Sequence, residues 1–205
     1  MYIDSGAMYR AAALEALRRG VPMGDHDELG RVALVAVIEL TDRGRGPVLL
    51  NGDDVTTEIR APEVTDAASV MSTVPAVRRA LVRQQREIGR STDCVMEGRD
   101  IGTVVFPDAD LKIFLTASLE ERARRRHAEF SMSAGQADIG QVIREIEERD
   151  RRDSTRSDSP LRKAKDAVEL DTTGLTIEQQ VGEIVRIARD RDACGSDRGT
   201  GAKEE

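Results

Sequence analysis

Short apolar runs that break at a turn and give way to helix-patterned segments constrain this chain more than any other feature. Met1–Ile3 reads as the tail of a strand, followed at once by Asp4-Ser5-Gly6 and a helix over about Ala7–Arg19. Leu111–Leu115 leads to a helix opening at Ser118, whose hydroxyl is placed to cap it, with Glu120 and Glu121 at its positive end. Ala167–Leu170 runs through Asp171-Thr172-Thr173-Gly174 into a helix over about Ile177–Arg189, with Ile177, Val181, Ile184, Val185 and Ala188 on one face. A further run, Cys94–Glu97, ends in Gly98-Arg99-Asp100. Strands alternating with helices predict an α/β fold, a parallel sheet with helices on both faces.

Between these runs the pattern predicts an amphipathic helix over Asp25–Leu40 and a turn at Arg43–Pro47. A tight hairpin is expected where Val48–Leu50 and Val55 bracket Asn51-Gly52. Pro62 and Pro75 punctuate two more helices, Pro75 in the first turn of its own. From Asp190 to Glu205 there is no apolar period, and a disordered tail is expected. Only 2% of residues are aromatic and none is Trp, so the core must be built from Ala, Val, Leu and Ile.

Charge narrows the function. The chain is 34% charged yet carries a net charge of only −7, which argues against a general nucleic-acid binder and makes any anion site a local gathering of Arg. Cys94, read as a small core residue in a strand, and Cys194, read as a tail residue, make neither a disulfide framework nor a zinc site. The longest apolar run, near Val32–Ile38, is too short to span a bilayer, and no signal peptide opens the chain, so a cytoplasmic protein is expected.

Four segments gather Arg with Asp or Ser. Glu145–Arg156 reads EIEERDRRDSTR, placing Arg149, Asp153 and Arg156 at i, i+4 and i+7 on one helix face. Alone, such a stretch is explained by solvated ion pairs. A loop-like Ser-Thr-Arg-Ser-Asp-Ser-Pro composition follows it, and guanidinium matches phosphate oxygens in planar, bidentate fashion. Arg122, Arg124, Arg125 and Arg126 form a second cluster. Glu97-Gly98-Arg99-Asp100 lies at a strand's carboxyl end, where open α/β sheets bind ligands. Asp4-Ser5-Gly6 through Arg10 lies at another strand-to-helix junction, where Ser5 is equally well a helix cap. His26, in a loop, and His127, on a charged helix, are assigned no catalytic role.

In the same order and at similar intervals, YIDSGAMYR, LNGDDVTTEIRAPEVTDAAS, MEGRDIGTVVFPDADLKIFLTAS, EERARRR, EIEERDRRDSTR and LDTTGLTIEQQV resemble stretches of the bacterial cytidylate kinases. The likeness runs from residue 2 to about residue 189. It implies a P-loop kinase-like α/β fold with an inserted monophosphate-binding lobe and a lid, moving the ATP γ-phosphoryl group to CMP or dCMP with Mg²⁺. The segments expected are core over 1–25, the monophosphate lobe over 26–90, core strands over 91–119, the lid region over 120–165, and the last core strand and helix over 166–189.

The resemblance gives Ser69, Arg78 and Asp100 as cytosine contacts and Arg149 and Asp153 as ribose contacts. Arg10, Arg99 and Arg156 would grip the acceptor phosphate with Ser5 nearby, and Arg125 and Arg126 would belong to the lid over ATP. Arg99, Arg149 and Arg156 are the candidate catalytic side chains, and no protein-bound metal is expected. A carboxylate accepting from an exocyclic amino group would favour cytosine over uracil.

One element of the family pattern is not found. G-x-x-x-x-G-K-[ST] cradles nucleotide phosphates in such kinases, and no Gly-Lys dipeptide occurs in this chain. Gly195–Lys203 is Gly-rich, but its spacing and its place after a helix are wrong. The expectation is that the first strand, phosphate loop and first helix are missing, through a truncated sequence, a shortened CMP-binding remnant without catalysis, or a kinase completed by another chain. A truncated chain would expose apolar sheet edges and aggregate, whereas a complete one would be monomeric.

Overall fold

The computed structural model of the chain describes residues 1–133, 138–156 and 158–196. They form two compact units, one of described residues within 1–107 and 149–162, the other of those within 108–148 and 163–196. The tail beyond Ser196 lies outside the described residues, as do the Cys194 side chain and most of Gly195–Lys203.

In the first unit, β1 (Tyr2–Asp4) passes directly into α1 (Ser5–Arg18). The cap is Asp4, whose carboxylate accepts from the Ala7 amide at 2.9 Å; Ser5 lies inside the helix and is not the cap. β1 pairs in parallel with β5 (Val95–Glu97), Ile3 opposite Met96. α2 (His26–Val35) and α4 (Pro75–Arg90) pack together, as do α1 and α3 (Pro62–Met71). Proline opens both α3 and α4, where its missing N–H costs nothing.

The helix expected over Asp25–Leu40 is shorter. It ends at Val35, and Ile38–Leu40 form β2, paired antiparallel with β3 (Val48–Leu50). The β-branched pair Val37 and Ile38 suits an extended backbone as well as a helix face, and partner strand β3 decides for the sheet. His26, expected in a loop, is the first residue of α2. β3 turns through Asn51 (φ 53°) and Gly52 (φ 93°) into β4 (Asp53–Asp54), the positive-φ pair that a two-residue hairpin requires.

The core of this unit is aliphatic. Ala7, Ala11, Ala12, Ala13 and Ala16 line the inner face of α1 against Ile3, Leu29, Val32, Ile59, Val77 and Leu81. Two methionines, Met8 and Met71, are fully buried as well, filling volume that aromatics fill elsewhere. Cys94 is half-buried just before β5 and packs on the edge of this core.

The second unit is built on β6 (Ile113–Thr116) and β7 (Val168–Asp171), again parallel, with Leu115 opposite Leu170. The parallel strands therefore form two separate two-stranded ladders rather than the single sheet expected, one in each unit. Ser118 caps α5 (Leu119–Ser133) through a bond from the Glu121 amide at 3.2 Å. α6 (Ile139–Thr155) carries its last residues, from Arg149, in the first unit.

α7 (Ile177–Ser196) runs past the Arg189 boundary read from sequence. Its first turn is fixed by a reciprocal pair: the Thr176 hydroxyl accepts from the Gln179 amide and the Gln179 side chain from the Thr176 amide. Ala123 and Val142 are the deeply buried apolar residues described in this unit. The apolar stripe of α7 stays open, with Ile177 75% and Val181 53% exposed.

The α2–α4 crossing rests on a glycine. A Cβ at Gly30 would lie 2.6 Å from the Ala76 Cβ, which belongs to a short side chain that cannot move aside. Gly30→Ala is expected to destabilise the protein by about 1–3 kcal/mol, overriding alanine's better helix propensity. Adding Ala76→Gly should return part of the lost melting temperature; if Gly30→Ala alone raises it, this account of the crossing is wrong.

Candidate active site

The polar groups of the first unit gather where β1 and β5 end side by side. Ser5, just beyond β1, donates its hydroxyl to the Glu97 carbonyl at 2.7 Å. The chain then turns at Gly98, where a Cβ would come within 2.3 Å of the Ser5 hydroxyl, so only glycine permits this approach. Arg99 and Asp100 follow, and Asp100 opens a single π-helical turn, Ile101–Val105, whose wide hydrogen bonds run from the Val105 amide to the Asp100 carbonyl and from the Phe106 amide to the Ile101 carbonyl.

Asp100 is buried and ion-paired with the Arg78 guanidinium, which is 2% exposed and reaches in from the first turn of α4. Arg78 also donates to the Tyr9 hydroxyl at 3.3 Å. Next door, Arg99 Nε donates to Asp153 at 3.1 Å, and the other Asp153 oxygen lies 3.6 Å from Arg156 Nη1. Arg156 follows the end of α6 and donates from Nε to the Ser159 carbonyl at 2.7 Å. Arg10 pairs with Asp4 at 3.0 Å.

Despite these pairs, the guanidinium groups are not saturated. Arg10 Nε, Arg78 Nε and Arg156 Nη2 are buried donors without a hydrogen-bond partner among the described residues. Buried N–H groups left unmade cost about 1–3 kcal/mol each, more when charged, and such groups call for an explanation. Burial and then the like charge of Arg78 pull the Arg156 guanidinium below its ordinary value, against the attraction of Asp100 and Asp153. The chemistry this arrangement suits is anion capture: positive groups already desolvated, held in place by carboxylates, with donors to spare.

Each residue expected from the sequence can now be placed. Arg78 and Asp100 meet directly, Arg99, Asp153 and Arg156 form one chain of contacts, and Arg149 lies one turn before Asp153 on α6. Ser69 lies on α3 and accepts from Arg152 Nη1 at 2.8 Å. Ser5 and Arg10 share the β1–α1 junction, bonded to Glu97 and Asp4. Arg125 and Arg126 are on α5 in the second unit, where Arg125 binds Glu121 at 2.7 Å and Thr172 through its hydroxyl at 3.1 Å and its carbonyl at 2.5 Å. The bond from Arg124, together with that from Arg125, holds the Glu121 carboxyl below its ordinary range.

Three participants were not picked out from sequence. Asp4 and Tyr9 lie in the Asp4–Arg10 segment without a role read from sequence; they hold Arg10 and Arg78, and their neighbours Ser5 and Arg10 are the signal that could have found them. Arg152 stands in a run of alternating charges where nothing local distinguishes it.

A family model described as cytidylate kinase matches residues 1–190. The chain belongs to the cytidylate kinase family. It is 53% identical to a cytidylate kinase of Solibacter usitatus (strain Ellin6076), over 96% of this chain and 84% of that protein. Cytidylate kinases of Pelotomaculum thermopropionicum and Bacillus pumilus (strain SAFR-032) are 50% and 48% identical, over 90% and 92% of this chain and 83% and 84% of theirs. The buried Arg–Asp cluster of this cytidylate kinase family member lies within the matched residues. Among the described residues no helix is long and apolar enough to cross a membrane, and no group of three or more His, Cys, Asp or Glu is placed to hold a metal ion.

The tyrosines offer a direct probe of this site. Burial pushes the Tyr9 hydroxyl up to about 12, against the opposing pull of Arg78, and burial with the Glu97 bond raises Tyr2 further. These are the only two tyrosines, and there is no Trp. Ultraviolet titration of the folded protein should show almost no phenolate at pH about 10, where an unfolded chain is half-ionised. Both tyrosines ionising by that pH in the folded protein would contradict the packing of Tyr9 beside Arg78.

Proposed function

We propose that the chain is a nucleoside monophosphate kinase that phosphorylates CMP and dCMP from ATP, with the first unit binding the acceptor. The observation that carries this reading is the set of buried guanidinium donors on Arg10, Arg78 and Arg156 without partners among the described residues, beside carboxylates a nucleotide can displace. Membership of the cytidylate kinase family supports it. The stretch 26–90 is then the monophosphate lobe and 120–165 the lid region, with Arg125 and Arg126 over the donor.

The acceptor brings a phosphate and a base, and the site offers a match for each. The phosphate takes the place of Asp4 on Arg10 and of Asp153 on Arg99 and Arg156, while Ser5 stands at the same junction. Asp153, freed from Arg99, and Arg149 one turn away face the ribose. Asp100, held in place by Arg78, accepts from the exocyclic amino group of cytosine, with Ser69 alongside. Exchanging one anion for another in a pre-desolvated site avoids a second desolvation cost.

A CMP phosphate oxygen attacks the γ-phosphorus of ATP, and the bond to the departing ADP oxygen breaks. The acceptor oxygen is already ionised, so the reaction needs position and charge neutralisation rather than a base. Arg99, Arg149 and Arg156 are the candidates for neutralising the equatorial oxygens. Mg²⁺ supplies further charge neutralisation when it arrives on the ATP phosphates, which together with water provide most of its ligands in such sites.

Incubating the protein with ATP, Mg²⁺ and CMP should yield CDP, seen by phosphorus NMR, with UMP a poorer acceptor. Arg156→Met should lower kcat/KM by about 100-fold or more without unfolding the protein. An enzyme that leaves CMP untouched and unbound, or an Arg156→Met variant with full activity, would overturn the assignment.

A further inference from the structure

A hydroxyl that must tell cytosine from uracil has a difficulty. Serine Oγ donates and accepts with equal ease, and its proton rotates to suit the partner. Left free, it can accept from the cytosine amino group or donate to the uracil carbonyl in the same place. It serves the cytosine amino group well only when its oxygen is held where that group arrives.

Arg152 is placed to do that. Its Nη1 donates to Ser69 Oγ at 2.8 Å, joining α6 to α3 across 83 positions of sequence. Guanidinium has donors and no acceptor, so the Ser69 oxygen is the acceptor in this bond, with one lone pair committed. The usual alternative for a serine within a helix is to bond the carbonyl four residues back. Here the Arg152 bond is the one formed, and both side chains are half-buried, where a hydrogen bond to a charged group is stronger and better oriented than at the surface. Arg152 also sits beside Asp153 and between Arg149 and Arg156, so the same length of chain holds Ser69 and carries the groups read as facing ribose and phosphate.

We propose that Arg152 is a positioning residue that holds the Ser69 oxygen in place on α3 and thereby contributes to the choice of cytosine over uracil. This rests on the assignment of Ser69 to the base, and the test separates the two claims. CMP and UMP dissociation constants are measured by calorimetry for the wild type, Ser69→Ala, Arg152→Met, Arg152→Lys and the Ser69→Ala/Arg152→Met double variant, with the melting temperature of each checked in parallel.

The ratio of UMP to CMP dissociation constants should fall about 3- to 10-fold in both Ser69→Ala and Arg152→Met, the span one hydrogen bond covers. The double variant should match Ser69→Ala alone, and Arg152→Lys, which keeps a donor, should retain most of the ratio. A lowered ratio in Ser69→Ala with none in Arg152→Met overturns the role of Arg152 and leaves Ser69 at the base. An unchanged ratio in Ser69→Ala removes both claims. An Arg152→Met effect that persists without Ser69, or an Arg152→Lys variant no better than Arg152→Met, would place the effect in guanidinium packing and overturn the inference as well.

Discussion

Placing Arg78 and Asp100 together in the interior of the first unit is costly, because both charges give up water and their attraction only partly repays it. The pair persists because each side chain is held from outside. Arg78 comes from the first turn of α4, set by Pro75, and Asp100 from the close turn at Gly98 against Ser5. The surrounding polar interior follows from those two anchors. Tyr9 is stationed on Arg78, Arg99 is aimed at Asp153, and Arg156 is drawn into the same desolvated space. Removing one member of the central pair would leave a buried charge alone, at a cost of about 3–5 kcal/mol.

This arrangement links stability to function. Carboxylates from the protein itself neutralise most of the guanidinium charge, while buried donors of Arg10, Arg78 and Arg156 have no hydrogen-bond partner among the described residues. On the proposed function, a nucleotide phosphate enters by replacing Asp4 and Asp153 rather than by stripping water from a bare cluster. The aliphatic, alanine-rich packing of α1 against α3 holds the β1–α1 junction still enough for that exchange to be specific.

Much of the local structure was legible in the residues, because short-range chemistry decides it. Asn51-Gly52 permits positive φ, Pro62 and Pro75 open helices, and Ser118 caps one. What was misread depended on partners distant in sequence. Ile38–Leu40 satisfy a helix pattern and a strand pattern alike, and only pairing with Val48–Leu50 settles the matter. α7 extends to Ser196 although its last turns have no apolar period, since Arg, Ala and Asp there can continue a helix already begun. The two ladders could not be told from one sheet, because strand order is not written in any single strand. In the site, residue types and spacing singled out the arginines, but which carboxylate each one meets is a property of the fold. Arg152 was invisible for the same reason: its partner Ser69 lies on another helix.

The central claim is that the buried guanidinium donors of Arg10 and Arg156 are made for the phosphate of a cytidine nucleotide. Calorimetric titration of the protein with CMP and, separately, with cytidine tests it most directly, since the two ligands differ only in that phosphate. The account predicts that CMP binds at least about 100-fold more tightly, the equivalent of two or more charge-assisted hydrogen bonds. Cytidine binding as tightly as CMP would contradict it.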